Sequence, residues 1–169
     1  MSVPVLVAFA GRPGTGKTTL AKALALASGA TYLRIDTIEQ VVREGGRDPG
    51  TDGYAVARAL AAENLRLGRD VIVDGVNPVA ASRQGFAACA REGGARLLDV
   101  ELVCGNAREH RRRIETRVLD HPGLPRPDWT AVTERLYEPW TSPRIVIDTG
   151  QASVGHAVAA LLAQMDGAA

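Results

Sequence analysis

One stretch near the amino terminus constrains the fold of this chain more than any other. An apolar run over Val3–Ala10 is followed by G-R-P-G-T-G-K-T, which begins at Gly11 and fits the pattern G-x-x-x-x-G-K-[ST] at every position. The residues from Thr19 to Ala27 are mostly strong helix formers. A buried strand, a glycine-rich turn and a helix are the context in which this pattern forms a phosphate-binding loop.

This loop predicts binding of a nucleoside triphosphate. Glycines at positions 11, 14 and 16 allow successive backbone N–H groups to point inward, which makes an anion-binding nest at a helix N-terminus. Lys17 can reach the β- and γ-phosphates, where we predict a catalytic role, and the Thr18 hydroxyl can bind Mg²⁺. The predicted nucleotide-binding residues of the loop are Gly11, Arg12, Pro13, Gly14, Thr15, Gly16, Lys17, Thr18 and Thr19.

The length of 169 residues favours a single domain over residues 1–169. The net charge of +1 does not favour a long nucleic acid or an anionic membrane as partner. Cys89 and Cys104 lie in apolar segments without metal-ligand spacing and are interpreted as core thiols in a reducing compartment. The apolar run near the amino terminus is too short for a signal peptide or a transmembrane helix. We expect a cytoplasmic protein that is a monomer or a homodimer.

Strand and helix patterns alternate along the chain. Apolar runs predict strands over Val3–Ala10, Thr31–Ile35, Asp70–Asp74, Ala95–Val103 and Arg144–Asp148. The first predicted helix ends near Ser28, and the others cover Thr37–Glu44, Tyr54–Leu67, Pro78–Glu92, Ala107–Leu119, Trp129–Tyr137 and Val154–Met165. Breaker-rich stretches predict loops over Gly45–Gly53 and His121–Pro127. The alternation predicts an α/β fold with a five-stranded parallel sheet, whose ligands bind at the carboxyl ends of the strands.

Asp74 ends an apolar strand and is followed by Gly75. An aspartate at this place can hold Mg²⁺ directly or through water, and the alternative is an ordinary turn residue at a strand end. Motor ATPases usually place a water-activating glutamate after this aspartate, so Gly75 argues against a hydrolytic motor. We therefore predict Thr18 and Asp74 as the magnesium-binding residues.

Asp36 follows the second predicted strand, in R-I-D-T-I-E. At the carboxyl end of that strand its carboxylate can orient and deprotonate a substrate hydroxyl, so we predict it as catalytic base and substrate ligand. It can also cap the helix that follows, and the two roles are compatible. Glu39, one helical turn later, is either a further substrate contact or a capping-box partner.

The run R-E-H-R-R-R-I-E-T-R, from Arg108 to Arg117, predicts a basic helix. His110 belongs to its buried stripe, whereas Arg108 and Arg112 point away and are interpreted as solvated charges. Arg113 and Arg117 border the stripe, just before a Gly/Pro-rich loop, and can clamp phosphates or neutralise charge in a transition state. We predict Arg113 as catalytic and Arg117 as nucleotide-binding, on a helical lid over about residues 108–130.

Two further pairs of residues are candidates for the site. Asn77 lies in the turn after the Asp74 strand and Arg83 on the helix after it, so both are predicted substrate contacts. Thr149 and Gly150 follow the last strand, where an adenine ring can rest on the backbone. We predict these two as nucleotide-binding residues.

The blocks GRPGTGKTT, RIDTIE, VIVDGVNP, EHRRRIETR, YEPW and IDTG resemble those of the small P-loop kinases. The chain looks most like the stand-alone bacterial ATP-binding proteins of the adenylylsulfate-kinase-like or zeta-toxin-like group. The resemblance implies a three-layer P-loop NTPase fold, with a sheet of order 2-3-1-4-5 and a mobile lid. It also implies that Asp36 accepts the proton of the acceptor hydroxyl and that Arg113 and Arg117 are lid arginines. The substrate-reading residues of adenylylsulfate, gluconate and shikimate kinases have no match here, and some relatives carry arginine in place of Glu39.

The hypothesis from the sequence is a kinase that uses ATP and Mg²⁺ to phosphorylate a hydroxyl of a small-molecule acceptor. One alternative is a kinase that acts on a nucleotide or on the 5′ end of a nucleic acid. A second alternative, of another class, is a nucleotide-dependent switch that binds partners and hydrolyses ATP slowly. Asp36 distinguishes the classes, because a switch does not need a base for an acceptor hydroxyl.

Overall fold

The computed structural model describes residues 3–116 and 128–167. Within them, five strands form one sheet in the order β2-β3-β1-β4-β5, and all four pairings are parallel. The strands are β1 (Val5–Ala10), β2 (Thr31–Arg34), β3 (Val71–Asp74), β4 (Arg96–Val103) and β5 (Ile145–Asp148). The predicted fold class and strand order are confirmed.

Helices cover both faces of this sheet. In the described part of the chain they are α1 (Lys17–Ser28), α2 (Ile35–Glu44), α3 (Asp52–Arg66), α4 (Ala80–Glu92), α5 (Ala107–Thr116), α6 (Trp129–Glu134) and α7 (Val154–Met165). None of the helices in residues 3–116 and 128–167 has the length and hydrophobicity needed to cross a membrane.

β1 is the central strand, and all of its residues are buried. Val5, Val7 and Phe9 pack with α1 and α7 on one face of the sheet, whereas Leu6 and Ala8 pack with α3 and α4 on the other. Successive side chains of a strand point to opposite faces, so a strand covered on both sides needs an unbroken apolar run. This three-layer core fixes the position of the loop that follows β1.

α2 begins earlier than predicted, at Ile35 and directly after β2. Asp36 therefore lies in the first turn of the helix, and Arg34 is the N-cap residue. The predicted capping role of Asp36 is wrong, although a carboxylate in the first turn still stabilises the helix through its dipole. The direct passage from strand to helix keeps Asp36 close to the edge of the sheet.

Three other helices differ from the prediction at one end. α4 begins later, at Ala80, because Asn77 has a left-handed φ of 45° that turns the chain before the helix. α6 ends earlier, at Glu134, where the Arg12 side chain donates to carbonyl groups at the end of the helix. α3 begins earlier, at Asp52, inside the predicted loop.

Asp99 on β4 is a half-buried carboxyl group that lines a cavity of about 290 Å³ between α4 and the segment before β5. Its burial raises its pKa from 3.8 to about 6, although the nearby Arg83 acts in the opposite direction. The folded protein therefore holds a proton on Asp99 at pH values where the unfolded chain has released it.

The contribution of Asp99 to the free energy of unfolding is expected to fall as the pH rises from 3.8 to about 6, because in that window this carboxyl group binds fewer protons in the unfolded state than in the folded state. The shift would be worth roughly 3 kcal/mol in a fully buried site. Solvent screening at this half-buried group reduces this free energy to about 1 kcal/mol.

Asp99→Asn should therefore raise the melting temperature at pH 7 by a few degrees and remove this part of the pH dependence. Melting curves between pH 4 and pH 8 check this, with Asp166→Asn at an exposed site as the control. An Asp99→Asn protein that melts below the wild type at pH 7 would contradict the prediction.

Candidate nucleotide-binding and catalytic site

The phosphate loop between β1 and α1 has a backbone that only glycine accommodates well. Gly11, Gly14 and Gly16 have φ values of 140°, 80° and 90°. A Cβ on Gly11 would collide with the carbonyl oxygen of Leu102, and one on Gly14 would lie 2.7 Å from Cγ1 of Ile114. Gly16 is the N-cap of α1, so the loop ends at a helix N-terminus, where backbone N–H groups are available to an anion.

Lys17 is the first residue of α1, and it is buried. Its Nζ donates to the carbonyl oxygen of Arg12 at 3.0 Å, so the ammonium group lies across the loop. The Thr15 hydroxyl donates to the same oxygen at 2.9 Å. Thr18 is half-buried after Lys17, and Thr19 is exposed. The predicted phosphate-binding residues therefore lie around one turn of backbone.

Arg12 and Pro13 join this loop to two helices. The Arg12 guanidinium donates to the carbonyl oxygens of Val132 and Arg135, both at 2.8 Å, at the end of α6. The Pro13 carbonyl oxygen lies 2.8 Å from Nε2 of His110 on α5. The Arg12 side chain thus binds the end of α6 and does not point to the inside of the loop. An anion in the loop would therefore be bound mainly by backbone N–H groups.

Asp74 ends β3 beside Phe9 of β1 and is almost fully buried. The Tyr32 hydroxyl donates to Asp74 Oδ2 at 2.8 Å. Burial and the negative charge of Asp74 raise the pKa of Tyr32, which keeps the hydroxyl protonated as a donor. Nε of Arg34 lies 3.9 Å from the same carboxylate oxygen. Asp74 is therefore an oriented carboxylate at the sheet edge that carries the phosphate loop.

The donor set at this edge fits a magnesium ion that is bound together with a nucleotide. Mg²⁺ usually takes one or two carboxylates, waters and substrate phosphates, and rarely a cage made only of protein. Across residues 3–116 and 128–167, no group of three His, Cys, Asp or Glu side chains could hold a metal ion by itself. Thr18 and Asp74 are the hydroxyl and the carboxylate that such an ion would use.

Asp36 is the exposed carboxylate next to Asp74. Its side chain is 53% exposed, and its Oδ2 lies 3.6 Å from Nη2 of Arg34. Because the same guanidinium approaches Asp74, the two carboxylates are separated by a single arginine side chain. The structure thus brings the predicted base and the predicted metal-binding aspartate together.

Arg113 contacts the end of β5 and does not extend freely into the site. Its guanidinium donates to Glu109 at 2.8 Å and to the hydroxyl and carbonyl oxygens of Thr149 at 2.8 and 3.0 Å. The Thr149 hydroxyl in turn donates to the carbonyl oxygen of Thr15 at 2.8 Å. Arg113 therefore lies with Thr149 and Gly150, the residues predicted to receive the adenine ring, and would have to leave Thr149 to reach a transferring phosphoryl group.

Asn77 and Arg83 support the fold where substrate contacts were predicted. Asn77 is 1% exposed, and its Nδ2 donates to the carbonyl oxygen of Phe9 at 2.7 Å. The buried Arg83 guanidinium donates to the carbonyl groups of residues 77, 78, 138 and 139 and lies 4.2 Å from the centre of the Trp140 ring. These contacts give both side chains a structural role, and their predicted contact with a substrate stays a prediction.

Glu39 packs against the beginning of α3. A Cβ on Gly53 would lie 2.6 Å from Glu39 Cγ, and Glu39 Oε2 accepts a hydrogen bond from Arg43 at 2.9 Å. The contact with Gly53 joins α2 to α3, and the pair with Arg43 lies within α2. The predicted contact of Glu39 with a substrate stays a prediction. Arg117 lies outside the described residues, as does the part of the predicted lid, about residues 108–130, that covers residues 117–127.

The sequence alone did not reveal the contacts of Tyr32, Arg34 and His110 at this site. Tyr32 and Arg34 lie two positions apart on β2 and therefore share one face of the strand. Both approach Asp74 because β2 pairs with β3 in parallel register. In the sequence, Tyr32 and Arg34 stand just before the predicted base. Their contact with Asp74 could be predicted only with the knowledge that β2 and β3 are neighbours in the sheet. His110 was placed in a buried stripe, but its partner is a carbonyl group 97 positions away in the sequence.

The sheet order, the phosphate loop and the aspartates at the strand ends define a small P-loop kinase-like domain. Residues 6–139 match the model of the AAA_33 family, which is described as an AAA domain, and the chain belongs to this family. No curated protein matches the chain.

Several solved structures share the fold over almost the whole chain. A kinase-like protein from Chloroflexus aurantiacus has a TM-score of 0.75 at 21% identity, with all of both chains covered. A gluconokinase from Sinorhizobium meliloti has a TM-score of 0.66 at 22% identity, with 99% of this chain and 97% of that chain covered. The Mycobacterium tuberculosis APS kinase CysC, in complex with AMPPNP and APS, has a TM-score of 0.69 at 16% identity, with 98% and 99% covered. At these identities the likeness shows the fold alone.

Proposed function

We propose that the protein transfers the γ-phosphoryl group of ATP to a hydroxyl of a small molecule, with Mg²⁺ as cofactor. The observation that carries this proposal is the pair of carboxylates on either side of Arg34, the buried Asp74 and the half-exposed Asp36. A buried carboxylate at a strand end suits a metal ion, whereas an exposed carboxylate beside it suits an acceptor hydroxyl. A nucleotide-dependent switch would not need the second carboxylate.

At the phosphate end of the site, the loop N–H groups and the Lys17 ammonium bind the β- and γ-phosphates. Thr18 and Asp74 would hold Mg²⁺, which when bound would neutralise negative charge on the phosphates. The Tyr32 hydroxyl keeps Asp74 oriented through the hydrogen bond of 2.8 Å.

At the nucleoside end, Thr149 and Gly150 receive the base against their backbone. Arg113 acts at this end, because its guanidinium is held on Thr149 by two hydrogen bonds. The hydrogen bond from Thr149 to the carbonyl group of Thr15 connects this end to the phosphate loop. We thus move Arg113 from the transferring phosphoryl group to the nucleoside.

The transfer itself requires one base. The acceptor oxygen forms a bond to the γ-phosphorus, the bond from that phosphorus to the bridging oxygen of ADP breaks, and the hydroxyl proton passes to Asp36. Arg34, with Nη2 at 3.6 Å, orients the Asp36 carboxylate. The chain's own contribution is mainly positioning and electrostatic stabilisation, as expected for phosphoryl transfer.

A screen of ADP production across sugars, nucleosides, antibiotics and amino acids tests the proposal. We expect at least one acceptor to raise ADP production clearly above the rate without acceptor, and Asp36→Asn to remove that increase. The product should be a phosphate ester of the acceptor, identified by mass spectrometry. A rate that no compound raises and that Asp36→Asn leaves unchanged would instead favour a nucleotide-dependent switch.

A further inference from the structure

Two carbonyl groups of the phosphate loop accept hydrogen bonds from residues far away in the sequence. The Thr149 hydroxyl donates to the carbonyl oxygen of Thr15 at 2.8 Å. The carbonyl oxygen of Pro13 lies 2.8 Å from Nε2 of His110. His110 has no part in the reaction proposed above, yet it contacts the loop directly.

The surroundings of His110 fix both its ring and its proton. The residue is 8% exposed, and its ring meets the Trp129 ring edge-on, with centroids 5.2 Å apart and planes at 88°. A Cβ on Gly14 would lie 3.2 Å from His110 Cδ2, so the ring lies directly under the loop. A carbonyl oxygen can only accept, so Nε2 must carry the proton and donate it to Pro13.

The geometry of a peptide unit gives this hydrogen bond a consequence at the next residue. The C=O of Pro13 and the N–H of Gly14 belong to the same planar trans unit and point in opposite directions. A carbonyl group that is held outward by His110 therefore turns the Gly14 N–H toward the inside of the loop. Inward N–H groups are what an anion nest offers to a phosphate.

We propose that His110 is a positioning residue for nucleotide binding, which acts through the Pro13 carbonyl group and the Gly14 N–H. The inference rests on the proposed nucleotide site and adds to it a residue that touches no nucleotide. It also makes α5 part of the phosphate site, since His110 belongs to that helix and packs against Trp129 at the start of α6.

A packing role alone would not require a donor at this position. Ile114, the next residue of the same buried stripe, is apolar and also lies under Gly14. His110→Leu keeps an apolar side chain under the loop and removes the donor. His110→Gln keeps a donor, because its amide nitrogen can occupy roughly the place of imidazole Nε2.

The test compares ADP dissociation constants of the folded wild-type, His110→Leu and His110→Gln proteins, beside their melting temperatures. We expect His110→Leu to bind ADP about 3- to 10-fold more weakly, in line with the net effect of one hydrogen bond. His110→Gln should stay within about twofold of the wild type. His156→Leu, which changes an exposed histidine on α7, is the matched control and should bind ADP like the wild type.

Equal ADP binding by the wild type and His110→Leu would overturn the role of His110 and leave the nucleotide site intact. Binding by His110→Gln that is as weak as that of His110→Leu would overturn it too, because the donor would not be what matters. Failure of the wild type to bind ADP would overturn the proposed function together with this inference. A long-range ¹H–¹⁵N spectrum of the wild type adds a measurement without substitution: we expect a proton on Nε2 of His110, and a neutral ring protonated only on Nδ1 would refute the proposal.

Discussion

Lys17→Ala is expected to lower kcat/KM for ATP by roughly 10²–10³-fold or more, the loss seen when one preorganised group for transition-state charge is removed. Lys17 is the cation of the phosphate loop, and its Nζ is held across the loop by the Arg12 carbonyl group at 3.0 Å. Alanine leaves the N–H groups of the nest in place but removes the charge that faces the phosphates. The affinity for ATP should fall together with turnover.

The measurement is the ATP dissociation constant and the steady-state rate of ADP production, with a melting curve for each protein. Lys22→Ala is the matched control, because Lys22 is the other lysine of the chain and lies exposed on the same helix. It should bind ATP as the wild type does. A folded Lys17→Ala protein with normal ATP binding and turnover would refute the assignment of the phosphate site.

The phosphate loop could be predicted from the sequence because its requirements are local. The pattern fixes the spacing of the glycines, which set the backbone of the loop. It also fixes the lysine and the hydroxyl residue, which set its ligand as a nucleotide phosphate. The unbroken apolar run of β1 predicted a buried strand for the same reason, since both faces of that strand are covered. The strand order was predicted from resemblance, because no local pattern encodes which strands are neighbours.

Arg83 shows why the rest of the site could not be predicted from the sequence. It follows the Asp74 strand, where a polar residue can face a ligand, yet its donors bind carbonyl groups that include those of residues 138 and 139. Backbone carbonyl groups carry no sequence signal, so a side chain that satisfies them looks the same as one that binds substrate. Arg34 was missed for a related reason, because its position between Asp36 and Asp74 depends on the pairing of β2 with β3.

Asp36→Asn is expected to lower kcat with the true acceptor by roughly 10²–10⁴-fold, the usual contribution of a positioned proton transfer. Asparagine keeps the shape of the side chain but cannot take the proton of the acceptor hydroxyl. The affinity for ATP should change little, since the Asp36 side chain pairs with Arg34, which is not part of the phosphate loop. The cost in stability should be small, roughly 0.3–1 kcal/mol, because the helix dipole of α2 loses a negative charge in its first turn.

Asp52→Asn is the matched control for that helix effect, because Asp52 is an exposed carboxylate in the first turn of α3. It should show a similar small shift in melting temperature and a normal kcat. The decisive comparison is kcat, the ATP dissociation constant and the melting temperature of the two variants beside the wild type. If Asp36→Asn shows only the small shift in melting temperature of Asp52→Asn, binds ATP normally and turns over the acceptor at the wild-type rate, Asp36 acts only on the stability of α2. The carboxylate that accepts the proton would then have to be another residue, and the geometry around Arg34 would no longer support a kinase mechanism.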